Sequence, residues 1–406
     1  MMNAAIANKR SWIDHRPWFG GLPEFYALRT IWHERSRFLP AVLAVAFSAM
    51  LIALQCGLLV GLLSMMSTPI DHAHADVWIG SPGAKSFDLG VFIPAEEWRS
   101  RLEAQPEVDR VELEIMSYST WSIPSTPERP TPFAAVVMVI GTSLDPNSIA
   151  LLEPLRQQPN LLAKLSEPFT IAIDESECGE NSRLGIKELD QVAVIAGRSV
   201  RVVGMVKGLK SLGGAYVFCS EDTARQLLFY KNSQTTYLLA KLHDPKDAQV
   251  VVQRFRDFPK MSAFTRDEFS FRSRLHWMTT TKAGLALAFT AMLGLLVGAV
   301  VTSQTLYAAT TAAQREYATL RAMGIPRWRL QLSVLAQSFW VGLGGILVAT
   351  PITLILAEIA ETIGTQVKLP MTIVIPSVAI TMGMALLSGL LALRSLQKTD
   401  PVHNIR

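Results

Sequence analysis

The chain has 406 residues, of which 50% are hydrophobic and only 18% are charged. Soluble proteins carry about 25% charged residues on average, so this composition favours a membrane protein over a soluble globular one. The formal net charge of +4 is small and gives no indication of nucleic-acid binding.

The N-terminal segment, residues 1–38, contains a stretch with aromatic and basic character. In LPEFYALRTIWHERSRF, apolar residues recur at helical spacing with Arg and Glu between them: Phe25, Leu28, Ile31 and Trp32. The pattern fits an interfacial helix at the inner membrane surface, and it also fits a simple extension of the first span.

Four segments are long and apolar enough to cross about 30 Å of hydrocarbon. The predicted spans are residues 39–63, 283–308, 330–357 and 372–394. Ion-coupled secondary transporters usually carry acids, His or Arg inside the membrane, and the apolar runs of these spans carry none. The sequence therefore argues against that class of transporter.

Residues 64–282, between the first and second spans, are numerous enough to form a domain with its own core. Strand patterns such as DRVELEIMSY and FAAVVMVIG alternate there with helix patterns such as PAEEWRSRLEAQP and SEDTARQLLFY, the last capped by Ser220. DQVAVIAGRSVRVVGMV predicts a hairpin that turns at Ala196-Gly197-Arg198. The predicted fold class is an α-helical membrane protein with four transmembrane helices, one plus three, and a large mixed α/β extracytoplasmic domain between the first and second.

The distribution of Lys and Arg predicts that both termini are cytoplasmic. Basic residues precede the first span, fill the 309–329 connection and enter the 395–406 tail, whereas STPIDHAHADVW after the first span has none. The short 358–371 loop carries Glu358 and Glu361 against Lys368, so it is predicted to lie outside with residues 64–282. The outer residues Arg272, Arg274 and Lys282 point the other way, but large domains cross membranes largely regardless of their charge.

Motifs for catalysis are missing from the sequence, which has no G-x-x-x-x-G-K-[ST] phosphate loop, H-E-x-x-H helix or G-x-S-x-G elbow. DHAHAD could place His72, His74 and Asp76 on one face of a strand, but a polar linker is the favoured interpretation and no metal site is predicted. An oxidising compartment would permit a disulfide between Cys178 and Cys219, and the sequence equally allows two separate thiols.

The pentapeptide GLLVG occurs twice, at Gly57–Gly61 and at Gly294–Gly298. Glycines four residues apart form a smooth stripe that lets helices approach closely, although such a repeat also arises by chance in Leu- and Val-rich sequence. The hypothesis is that these four glycines are helix-packing positions.

A charged stretch, QREYATLRAMGIPRWRLQ, separates the second and third spans. Ala313, Tyr317, Leu320 and Gly324 fall on one helical stripe, Gly324 suits the residue after a helix, and Pro326 can start the next one. Periodicity alone does not distinguish a contact helix from a connector whose arginines only fix topology.

Three segments carry a resemblance to a known family. REYATLRAMGIPRWRL resembles the R-E-(aromatic)-x-T-L-(K/R)-A-(L/M)-G signature of FtsX/MacB-type ABC transporter permeases, and KTDPVHNIR resembles the ending of the same family. ALRTIWHERSRFLPAVLAVAFSAMLIALQCG is similar to the start of its DevC-like branch. The one-plus-three layout matches along the whole chain.

The resemblance implies a non-catalytic permease of the bacterial inner membrane, working as a homodimer with a separate ABC ATPase that binds the ATP. DevC-like members export lipids, glycolipids or other hydrophobic cargo with a membrane-fusion (HlyD-like) protein and an outer-membrane channel. On this interpretation residues 309–329 form the ATPase-coupling helix, with these contact residues: Arg315, Glu316, Tyr317, Leu320, Arg321 and Gly324.

Two other functions are compatible with the sequence. One is an FtsX-type signalling permease that controls an extracytoplasmic enzyme without moving cargo. The other is a membrane receptor without an ATPase partner.

Overall fold

The structure is a computed structural model that describes residues 35–124, 133–179, 182–256, 258, 260–312, 319, 326–362 and 366–398. The chain divides into two compact units, which we treat separately. The membrane unit comprises residues 1–57, 290–362 and 368–406, and the domain unit comprises residues 58–289 and 363–367. The predicted interfacial helix, as far as residue 34, lies outside the described part of the chain.

The first elements lead from the first span into the domain unit. Helix α1 (Arg35–Ser64) contains an apolar run, Phe38–Ser64, that is long enough to span a membrane. The short helix α2 (Thr68–His72) follows, with Pro69 in its first turn, where the missing N–H costs no hydrogen bond.

The domain unit mixes strands and helices along its sequence. Its first half contains β1 (Val77–Gly80), β2 (Ile93–Pro94), α3 (Ala95–Glu103), β3 (Val108–Ile123), β4 (Phe133–Thr142), α4 (Glu153–Arg156), α5 (Pro159–Leu165) and β5 (Thr170–Asp174). Its second half contains β6 (Val192–Ile195), β7 (Arg198–Val206), β8 (Ala215–Ser220), α6 (Glu221–Leu228), β9 (Gln234–Thr235), β10 (Tyr237–Leu242), α7 (Ala248–Arg256), β11 (Ser262–Thr265) and α8 (Arg266–Thr280).

Local chemistry explains several of these boundaries. Ala196 and Gly197 both have positive φ, which matches the twist of a two-residue hairpin and joins β6 to β7 where the sequence predicts the turn. Ser220 caps α6, because its Oγ accepts a hydrogen bond from the Thr223 N–H at 3.3 Å.

The main sheet of the domain unit has the strand order β11-β1-β10-β3-β4-β8-β5-β7-β6 among the described residues. The long strand β3 pairs with β10 through its first half and with β4 through its second half. It also pairs with β6 at Trp121 and Ser122. The strands β3, β4, β8, β5, β7 and β6 therefore form a closed ring of hydrogen-bonded neighbours. Strand β3 therefore belongs both to the open part of the sheet, through β10, and to its closed part, through β4 and β6.

Among the described residues of the domain unit, three apolar clusters form its core. One lies on the face of β1, β3 and β10 that carries Trp78, Met116 and Tyr237, and another lies on the opposite face, beneath α3 and α7. The third lies among the closed strands around Trp121, whose indole N–H donates to the Leu184 carbonyl at 3.0 Å. The two faces of β1 are therefore both covered.

The remaining helices are α9 (Lys282–Ala312), α10 (Arg327–Thr362) and α11 (Met371–Lys398). With α1, they give four helices within the described residues that are long and apolar enough to cross a membrane. The predicted fold class, four such helices with a mixed α/β domain between the first and second, is confirmed.

Candidate functional site

The predicted coupling helix lies almost entirely outside the described residues. Helix α9 continues to Ala312, α10 begins at Arg327, and the intervening Thr319 is helical and exposed. The contact residues that fall outside the description are Arg315, Glu316, Tyr317, Leu320, Arg321 and Gly324. Their role stays a prediction.

The start of α10 carries an exposed aromatic and basic pair. Trp328 is 56% exposed, and the Arg329 guanidinium lies 5.2 Å from the centre of its ring. A cation over the face of an indole is an attractive arrangement that interfaces often contain. This pair adds to the connection two contact candidates that the sequence did not single out.

In the membrane unit, the second GLLVG stretch lies against α1. A Cβ at Gly294 would lie 3.0 Å from the Gln55 side chain, and a Cβ at Gly298 would lie 3.2 Å from Ile52. In the first stretch, Gly57 and Gly61 are buried, and the Gly57 carbonyl accepts a hydrogen bond from the Lys368 N–H at 3.1 Å. The structure thus does not bring the two pentapeptides together glycine to glycine.

Glycines of α10 and α11 make close contacts that the sequence reasoning missed. A Cβ at Gly345 would lie 2.6 Å from Val45 of α1, and a Cβ at Gly389 would lie 2.3 Å from the Ser338 hydroxyl. A signal for Gly345 was present in the third span, where Gly345 and Ala349 lie four residues apart, the spacing of small residues that helix packing uses.

In the domain unit, Asp71 joins the segment after the first span to α8. Its Oδ1 accepts from the Ser270 hydroxyl at 2.7 Å, and its Oδ2 accepts from the Ser67 hydroxyl at 2.8 Å and from the Arg274 guanidinium. Its backbone carbonyl accepts from the Arg266 guanidinium. Arg274, whose charge opposed the topology prediction, is thus paired within the domain unit.

A buried carboxylate, Asp88, joins α8 to a short 3-10 turn at Phe87–Leu89. It accepts hydrogen bonds from the Trp277 indole at 3.0 Å, from the Tyr118 hydroxyl at 3.2 Å and from the Ser86 hydroxyl. Burial, and then the negative charge of Asp88, raise the pKa of Tyr118 well above its ordinary value. Tyr118 therefore remains a neutral donor to Asp88.

Met65, the residue that follows α1, contacts the sheet within the domain unit. The Tyr216 hydroxyl of β8 donates to the Met65 carbonyl at 3.0 Å, one residue after α1 ends. Tyr216 is buried, and burial raises its pKa, so the hydroxyl keeps its proton. This hydrogen bond fixes the backbone at Met65 to strand β8.

Glu114 lies fully buried on β3, and neither carboxyl oxygen has a hydrogen-bond partner among the described residues. Burial raises its pKa from 4.5 to about 8, so the group is protonated at neutral pH. Its cross-strand neighbour is Tyr237, which packs against Trp78 with ring centres 5.8 Å apart.

The other predicted polar clusters are separated in the structure. Cys178 and Cys219 are free thiols rather than a disulfide; they contact the carbonyls of Lys187 and Ile140, and burial raises the Cys219 pKa.

The residues of DHAHAD also take separate partners. His74 Nε2 lies 2.9 Å from Glu153, while Asp76 pairs with Lys241 at 3.0 Å. Asp76 also accepts a hydrogen bond from the Leu242 N–H. His74 and Asp76 thus serve contacts within the domain unit.

Comparison with known families decides the identity of the chain. The model of the MacB-like periplasmic core domain matches residues 38–258, more than half of the sequence, and the model of the FtsX-like permease C-terminal matches residues 288–397. The chain belongs to the FtsX/MacB-type permease family. The predicted family is thereby confirmed, and the permease model ends close to the end of α11.

Two solved structures are similar to about half of the chain at low identity. The periplasmic region of MacB from Actinobacillus actinomycetemcomitans is 12% identical, with a TM-score of 0.32, over 52% of this chain and 97% of that one. The extracellular domain of the noncanonic ABC-type transporter YknZ from Gram-positive bacteria is 10% identical, with a TM-score of 0.30, over 47% of this permease and 99% of that chain. No protein with a curated function matches the permease.

Proposed function

We propose that this permease is the membrane subunit of an ATP-driven exporter of the MacB/DevC type. The observation that carries the proposal is the order of the two family matches on one chain, a MacB-like core domain followed by an FtsX-like permease part. Subunits of ABC permeases are generally non-catalytic, and this sequence has no phosphate loop. Hydrolysis then belongs to a separate ABC ATPase, and this chain receives its motion.

The contacts made by the segments that follow the first span and precede the second support transmission of that motion. The Met65 carbonyl is held by Tyr216, Asp71 holds three side chains of α8, and Trp277 of α8 is held by Asp88. A displacement of the first or second span would therefore reach the sheet through hydrogen bonds that follow directly on the span ends. The proposed exporter works as a homodimer in the bacterial inner membrane, with both termini in the cytoplasm and the domain unit outside.

We further propose that a membrane-fusion protein accompanies the ATPase and that the cargo is a lipid, a glycolipid or another hydrophobic molecule. The support is the N-terminal similarity to the DevC-like branch. Affinity purification of the tagged full chain from its native membranes, followed by mass spectrometry, tests this composition. An ABC ATPase together with a membrane-fusion protein is the expected result.

Each alternative gives a different result in this purification. An ATPase with an extracytoplasmic enzyme, and without a membrane-fusion protein, would replace export by FtsX-type signalling. Recovery of the chain without any ATPase, under conditions that preserve a known ABC complex from the same membranes, would contradict the exporter.

A further inference from the structure

Three residues of α8 that contact the segment after the first span lie on one stripe of the helix. Arg266, Ser270 and Arg274 are spaced four residues apart, and all three donate hydrogen bonds to Asp71. Residues at this spacing lie above one another on a helix, so this stripe faces α2. The stripe extends along α8 toward the start of α9.

Arg274 makes a second contact that fixes its direction. Its Nε donates to the Ser67 hydroxyl at 2.7 Å, and Ser67 in turn donates to Asp71 at 2.8 Å. Two nitrogens of one planar guanidinium are therefore engaged, and such forked pairs have a defined geometry that a single ammonium cannot reproduce. Both oxygens of Asp71 are used as well.

A break in the helix directly after α8 makes this attachment mechanically relevant. Thr281, between α8 and α9, has extended backbone angles, with ψ of 144°. Its hydroxyl donates to the Trp277 carbonyl and accepts from the Gly284 N–H, which closes one helix and opens the next. Because α8 and α9 are two separate helices, a movement of α9 does not by itself fix the position of α8, and α8 requires contacts of its own.

We infer that Asp71 and Arg274 form a latch, completed by Ser67, Ser270 and Arg266, that makes the exit of the first span and the entry to the second move as one body. An isolated ion pair at this exposure, 30% for Asp71 and 36% for Arg274, contributes little to stability. The latch acts by position, since four hydrogen bonds from α8 converge on Ser67 and Asp71 and so define the placement of α2 relative to α8. Its use in transport rests on the proposed function, but its existence does not.

The latch is tested by a distance measurement on the full chain in lipid nanodiscs, without any partner protein. Spin-labelled unnatural amino acids replace Leu62 of α1 and Leu285 of α9, which leaves the native cysteines untouched. Pulsed EPR then gives the distribution of distances between the two labels. The variants are Asp71→Asn, Arg274→Gln and their combination.

Arg272→Gln is the matched control, because it removes the same charge from the same helix. Arg272 lies over the Phe264 ring at 5.1 Å, away from the latch contacts. We expect a single narrow distribution for the parent and for Arg272→Gln, and a broader, shifted distribution for Asp71→Asn and for Arg274→Gln. The double variant should be no broader than either single variant, because both act through one contact.

Unchanged distributions in Asp71→Asn and Arg274→Gln, or equal broadening in Arg272→Gln, would overturn the latch. Arg274→Lys provides a second variant that keeps the charge and loses the fork, so it should broaden the distribution less than Arg274→Gln. Identical behaviour of Lys and parent would assign the effect to charge alone and would contradict a positional role. None of these results depends on an ATPase being present.

Discussion

At the scale of single residues, Glu114 is an acid whose burial the sequence pattern does not indicate. Val111, Leu113 and Ile115 of DRVELEIMSY alternate with acids, a pattern that predicts a half-buried strand. In the structure β3 lies inside the sheet, and the face that carries Glu114 packs against aromatic residues of other strands, of the 3-10 turn and of α8. Neighbours that distant in sequence leave no trace in local periodicity.

The burial of Glu114 predicts that the domain unit becomes less stable as pH rises. The pKa is 4.5 in the unfolded chain and about 8 in the folded one, so the unfolded chain loses its proton first. Above about pH 4.5 the unfolded state is therefore stabilised by losing this proton, and the free energy of unfolding falls. The fall continues until about pH 8, where the folded state ionises too. The total effect is at most several kcal/mol.

Glu114→Gln keeps the shape of the side chain and removes this ionisation. Thermal unfolding of the full chain in detergent, between about pH 5 and about pH 8, should show a gain in Tm over the parent that increases with pH. Glu188→Gln, which alters an exposed acid of the same unit, should give no such trend. A constant offset between Glu114→Gln and the parent would mean that Glu114 does not titrate as described.

At the scale of helices, small residues determine how the membrane unit packs. The sequence reasoning selected the GLLVG repeat, which does lie near α1 through Gly294 and Gly298. It did not select Gly345, because VGLGG is not repeated elsewhere and periodicity does not show which face of a buried helix meets a neighbour. Two apolar helices must be placed in space before such a contact becomes visible.

We predict that Gly345→Ala destabilises the membrane unit, because its Cβ would lie 2.6 Å from Val45 and 3.0 Å from the Ala46 nitrogen. Overpacking of this kind costs about 1–3 kcal/mol. Gly383→Ala is the control, since a Cβ there meets nothing within 4 Å. Ala favours a helix over Gly by about 1 kcal/mol, so the control should be neutral or slightly stabilising. Equal thermal stability of the two variants in detergent would show that α1 and α10 do not pack as closely as described.

The segment between α9 and α10 is the predicted coupling helix, and Glu316 is its residue best suited to a test. Glu316 lies outside the described part of the chain. In a coupling helix its carboxylate would contribute to an interface with the ATPase, where truncating one member of a buried charged pair costs about 2–5 kcal/mol. Glu316→Ala should therefore weaken copurification of the ATPase or lower the stimulated hydrolysis rate, at unchanged permease abundance. Unchanged binding and rate would leave the segment as a connector that fixes topology.

At the scale of the whole molecule, the layout was predictable because its signals are local and strong. Each span is a long apolar run, and Ser220 and the Ala196-Gly197 turn mark boundaries by their own chemistry. The closure of β3 onto β6 and the latch at Asp71 were not predictable, because each joins segments far apart in the chain. The sequence STPIDHAHAD alone indicates a polar linker, and only the structure shows that Arg274 contacts it.

One residue, Thr319, tests both the proposed orientation and the proposed partner, because it is exposed in the connection between α9 and α10. A photo-crosslinking amino acid at Thr319 should capture an ABC ATPase in intact cells, because this connection is proposed to dock on the ATPase in the cytoplasm. The same amino acid at Glu188, exposed on the domain unit, should capture no ATPase. Capture of the ATPase from Glu188, or its absence at Thr319 with normal permease levels, would contradict an ATPase-driven permease with this topology.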